Sequence, residues 1–126
     1  MASVVVLTDP ILEGSTKTYS VQLVDETGAD LPSDVLLSLT LTYYDKDTLT
    51  VINARQDQDV LDGNDVTVSV DGLIEWNMQV EDTALVDSRK GLEAHIILLT
   101  WSWQSGIETK IDRHEAQVTI EAVPLG

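Results

Sequence analysis

Hydrophobic and polar residues alternate along most of this chain, and a period of two marks β-strands. The cleanest run is 35–44, where Val35, Leu37, Leu39, Leu41 and Tyr43 share one face and Ser38, Thr40 and Thr42 the other. Residues 16–24 place Tyr19, Val21 and Leu23 together, and residues 73–79 do the same for Ile74, Trp76 and Met78. Shorter strand-like runs fall at 3–7, 49–53 and 66–70. The longest and most apolar is 92–103, LEAHIILLTWSW. Leu92, Ala94, Ile96 and Leu98 point one way; His95, Ile97, Leu99, Trp101 and Trp103 point the other. A strand that is apolar on both faces lies at the centre of the fold or offers one face to a partner.

The punctuation between these runs predicts their connections. Asp25 to Asp30 form a turn cluster with Gly28 at a position suited to positive φ. Asp71-Gly72 reads as a two-residue hairpin turn, and Gln104-Ser105-Gly106 as a three-residue one. Residues 80–91 read as a crossover between sheets, with room for one helical turn at 81–85. In the last strand Ile107 and Ile111 occupy odd positions, whereas Ala116, Val118, Ile120 and Ala122 occupy even ones. A strand changes parity by inserting a residue, so a bulge is expected near 112–114. About eight or nine short strands with turn signals every 8–12 residues or so predict an all-β antiparallel sandwich. Residues 1–126 read as one domain, with 1–8 as an N-terminal arm or edge strand.

Composition narrows the function. The 126 residues contain no cysteine, which excludes disulfides, thiolate–zinc sites and thiol catalysis. Acidic residues outnumber basic ones by 22 to 7, a net charge of −15 that repels phosphate backbones and argues against nucleic-acid binding. No apolar run is long enough to span a bilayer, so no membrane association is expected, and the N-terminus lacks a secretory pattern. Phenylalanine is absent, so Leu, Val, Ile and the three tryptophans must build the interior.

Several stretches carry a family likeness. EGSTKTYSVQLVDETGADLP at 13–32, DGLIEW at 71–76 followed by Glu81-Asp82-Thr83, and LEAHIILLTWSWQSG at 92–106 resemble the immunoglobulin-like domains of tailed-phage virion proteins, such as the upper-baseplate family. The likeness covers most of the chain and consists of turn and strand patterns. It implies an immunoglobulin-like sandwich and a structural role in a phage particle, as a head-decoration, neck, tail or baseplate accessory subunit. Its partners would be other virion proteins and copies of itself, and it would be made in the host cytoplasm and carried in the virion. Residues 1–126 would be the whole module in this reading, without the extra receptor-binding or scaffold-attachment domain of the family.

The chemistry-bearing residues fit that role better than an enzyme's. No serine sits in a nucleophile elbow, and no glycine-rich phosphate loop occurs. Asp57, Asp59, Asp62 and Asp65 surround Gly63 and Asn64 in one loop, which suits calcium in ligand type though not in EF-hand spacing; the plain alternative is a solvated acidic loop. His95 and His114 approach each other across the last hairpin in this reading, and with Glu93 or Glu115 would make an incomplete zinc site. No cofactor is otherwise called for. The interface candidates are Trp101, Trp103, Ile97 and Leu99 on one face of the central strand, Tyr44 at a rim, and Val4 and Val6 in the arm. Trp76 reads as core. The competing function is a carbohydrate- or cell-surface-binding module that uses Trp101 and Trp103, with calcium in the 57–65 loop.

Overall fold

The computed structural model describes residues 4–61, 63–87 and 89–123. They form an all-β sandwich of two sheets with nine strands. The larger sheet has the order β1-β9-β8-β4-β5, from β1 (Val4–Val6), β9 (Glu108–Glu121), β8 (Leu92–Ser105), β4 (Leu36–Asp45) and β5 (Gln58–Asp59). The two-residue β2 (Ile11–Leu12) continues the edge begun by β1, and both run parallel to β9. The smaller sheet is antiparallel, in the order β3-β7-β6, from β3 (Lys17–Gln22), β7 (Leu73–Met78) and β6 (Val66–Val68). Residues 79–91 carry the chain from the smaller sheet to the larger, and those of them that are described form turns and no helix.

The longest apolar strand, β8, is central in the larger sheet, between β4 and β9, one of the two places its apolar faces allowed. Its odd residues face the other sheet. Ile97, Leu99, Trp101 and Trp103 pack there with Leu39, Leu41, Tyr43, Ile74, Trp76, Met78, Val118 and Ile120 in one buried cluster. The even face points outward. Ile96 on that face is nonetheless buried, because Tyr44 and Gln117 flank it on the neighbouring strands and Lys46 Nζ reaches across to the Gln117 side-chain Oε1 at 3.1 Å.

Two register expectations are corrected. Strand β4 does not keep one parity: Leu36 pairs with Trp103 but Ser38 with Ser102, so one extra residue bulges out. Leu36 is therefore buried and Leu37, expected inside, is exposed. Strand β9, expected to bulge near 112–114, does not. It pairs with β8 without interruption from Ser105↔Glu108 to Leu92↔Glu121. Ile107 and Ile111 change parity because they belong to the outer face and the hairpin tip, where they stay in solvent.

The hairpin turns exchange the expected lengths. Ser105 pairs with Glu108 across the two residues Gly106-Ile107, and Gly106 takes the positive φ of 63° that a type II′ turn assigns to glycine. The β6–β7 turn is longer, closed by Ser69 N–H to Leu73 O and Gly72 N–H to Ser69 O. The partner expected for β4 at 49–53 contributes only an isolated bridge, Tyr44↔Val51. No helix among the described residues is long and apolar enough to cross a membrane.

Candidate functional site

The residues singled out by pattern go to three different places. Trp101, Trp103, Ile97 and Leu99 are at most 4 % exposed and lie between the sheets. They offer no surface to a partner or a sugar, which corrects the expectation of a spare apolar face. The reason is β3, β7 and β6: the smaller sheet covers the odd side of β8. Tyr44 stays half-buried on the outer face, lining a shallow depression of about 250 Å³ with Thr42, Leu49, Val51 and Gln56. Val6 is exposed on the β1 edge, and Val4 pairs there with Glu115.

The 53–65 loop is built around a cation of its own. Arg55 is 2 % exposed, and its Nε and Nη2 donate to Asp82 Oδ1 and Oδ2 at 2.6 and 2.9 Å. Nη1 donates to Gln58 Oε1 and the Asn64 carbonyl, and Nη2 also to Asp65 Oδ2. The guanidinium lies 5.2 Å from the centre of the Trp76 ring. Asn53, Ala54, Asp57, Asn64 and Asp65 take φ values of 47–72°, a conformation non-glycine residues adopt only when their surroundings hold them there. The candidate calcium ligands do not converge: Asp65 serves Arg55, Asp59 Oδ1 accepts from Leu61 N–H, and Asp57 Oδ1 faces the Thr42 hydroxyl. Asp62 lies outside the described residues. Arginine at 55 was the signal that the acidic loop has an internal counter-charge.

The two histidines are not neighbours. His95 sits opposite Val118 and His114 opposite Leu99, so several ladder steps separate them, and Glu115 belongs to the other face. His114 makes an inter-sheet contact, with Nε2 against the Tyr19 hydroxyl. Burial holds the His114 pKa below its ordinary value and pushes that of Tyr19 up to about 12.

His95 keeps the expected neighbour Glu93 and joins it to two residues of β4, Tyr43 and Asp45, that sequence spacing did not reveal. Its Nδ1 is 2.9 Å from the Tyr43 hydroxyl and its Nε2 is 2.9 Å from Glu93 Oε1 and 4.0 Å from Asp45 Oδ1. All three ionisable residues are buried. Burial would raise the pKa of both carboxyls, but hydrogen bonds reverse this. The Thr48 hydroxyl and N–H hold Asp45 below the ordinary range, while the N–H groups of Asp87 and Val86 and the His95 ring do so for Glu93. Asp45 and His95 are 50 residues apart in sequence and adjacent only through the β4–β8 register.

One end of the larger sheet is open. Strand β4 reaches only Trp103 of β8, and β1 reaches only Glu115 of β9, so among the described residues the hairpin tip has no flanking strand. Ile107 there is wholly exposed, Ile111 is 71 % exposed, and Leu37 lies on the neighbouring bulge. Compared with known proteins, the chain matches no family model, no curated sequence and no solved structure.

Proposed function

We propose that this chain is a structural subunit of a tailed-phage particle that works by protein–protein contact. The observation that carries the reading is the β8–β9 hairpin end, which no strand flanks among the described residues, with the side chains of Ile107 and Ile111 in solvent. Exposed aliphatic side chains gathered at one end of a soluble domain favour contact with another protein. The open edge of β9 bears Glu108, Lys110, Asp112 and Arg113. Charges on an edge discourage open-ended strand pairing, which leaves the isoleucines to dock into a neighbour. The short β1 arm, held by a parallel pairing along β9, is a second element that a neighbouring subunit can engage. The two-sheet fold agrees with the resemblance noted at 13–32, 71–83 and 92–106.

The test is incorporation. The double variant Ile107→Asp and Ile111→Asp is expected to fold with the same far-ultraviolet spectrum and to be lost from particles assembled in cells that express it. Undiminished incorporation would overturn the reading. Deletion of residues 1–8 examines the arm in the same assay.

A further inference from the structure

We propose that Asp45, Glu93 and His95 form a binding site for one divalent transition-metal ion, zinc foremost, that ties β4 to β8 inside the sandwich. Among the described residues, this is the group in which three such side chains bring ligand atoms within 4.8 Å of one another. A zinc ion held about 2.0–2.2 Å from each ligand in tetrahedral geometry sets its ligands roughly 3.4 Å apart. The observed 2.9 Å between His95 Nε2 and Glu93 Oε1, and 4.0 Å between His95 Nε2 and Asp45 Oδ1, bracket that spacing.

An independent observation points to a ligand. Asp45 is 1 % exposed, and its Oδ1, the atom aimed at the imidazole, has no hydrogen-bond partner. A buried carboxylate oxygen left bare costs free energy that a cation would recover. The other oxygen, Oδ2, is already fixed by the Thr48 N–H and hydroxyl at 2.9 and 2.7 Å, so the carboxylate cannot turn Oδ1 away cheaply. Charge leads to the same conclusion. Two buried carboxylates share one imidazole, and among the described residues no lysine or arginine lies within ion-pair distance of either. A dication would balance them.

The surroundings orient the ligands as metal sites require. The Tyr43 hydroxyl holds His95 Nδ1, which directs Nε2 toward the carboxylates. The Val86 N–H fixes Glu93 Oε1, the oxygen that faces His95, and the Asp87 N–H fixes Oε2, both at 2.7 Å. One nitrogen among two oxygens selects a borderline ion over calcium or magnesium, which take oxygen shells.

The full chain, stripped with EDTA, is dialysed in turn against zinc, manganese, calcium and magnesium salts. Bound metal is counted by emission spectroscopy and thermal melts are recorded. About one zinc ion per chain is expected, with a rise in Tm that EDTA reverses and no such rise with calcium or magnesium. Asp45→Asn keeps an oxygen for Thr48 and is expected to fold without the zinc-dependent rise; His95→Gln is a second carrier of the test should the first not fold. Failure to retain zinc, equal retention by the folded variant, or a preference for calcium or magnesium would each overturn the proposal.

Discussion

Arg55 and Asp82 form a two-bond ion pair inside the sandwich, with Nε 2.6 Å from Oδ1 and Nη2 2.9 Å from Oδ2. Asp82 also accepts from the Asn53 side chain and the Gln79 N–H, so it joins the loop after β4 to the turn after β7. Removing one member of a buried pair strands the other charge. Asp82→Ala is expected to cost about 3–5 kcal/mol in urea unfolding. Arg55→Lys is expected to destabilise too, since a point charge cannot reproduce the fork that reaches Asp82, Asp65 and Gln58 together. An unchanged urea midpoint for either variant would contradict the role assigned to the pair.

Burial of the three tryptophans is expected to appear in fluorescence. Trp76, Trp101 and Trp103 are 0–4 % exposed, and none of their indole nitrogens has a hydrogen-bond partner. Native emission should be blue-shifted and little quenched by acrylamide, with both properties lost in urea. Trp103→Ala is expected to cost about 3–5 kcal/mol, as large-to-small changes in a packed interior do. Strong quenching of the native protein would return these rings to the surface.

The strands were legible because alternation survives in the sequence. Residues 35–44, 73–79 and 92–103 all proved to be strands, and of the two alternatives left by the apolar faces of the last, its place between β4 and β9 is the central one. Alternation identifies two faces but does not say what covers each. Nothing local in the sequence places β3 and β7 over the odd face of β8, so alternation alone leaves that face open to a partner. Parity had a similar limit: the shift in β9 came from exposed Ile107 and Ile111, while the real bulge lay at Leu37 within the most regular run. Glu93 and His95 were legible as a pair two apart on one strand, but Asp45 was hidden because it joins them only through the pairing of β4 with β8. The 57–65 loop misled in the opposite way, since its aspartates count as ligands until Arg55 is placed among them.

Gly72 is fixed by contact as well as by conformation. Its φ is 84°, and a Cβ there would stand 2.0 Å from the Leu31 carbonyl oxygen. Gly28 has a φ of 88° but open space around it. Gly28→Ala is expected to cost about 1 kcal/mol from backbone strain alone. Gly72→Ala should cost clearly more, because the turn must also part from the 23–31 segment, where Leu23 N–H donates to the Gly72 carbonyl. Equal thermal stability of the two variants would contradict this.

Acid should loosen the contact between the sheets at His114. Burial lowers the folded pKa below the ordinary 6.5, so just below that pH the unfolded chain takes up a proton that the folded chain refuses. The stabilisation is present above 6.5 and is lost as pH falls through this window. Tm is expected to decline as pH falls below about 6.5, and His114→Gln should flatten that part of the curve. The same slope in the variant would assign the effect to other groups.

The most direct measurement is quantitative mass spectrometry of density-purified phage particles from the host that expresses this gene. The account predicts the chain in the particles at a fixed ratio to the major capsid or tail protein, retained through repeated gradients. Its absence from clean particles, with the protein abundant in the soluble lysate, would contradict the proposed role.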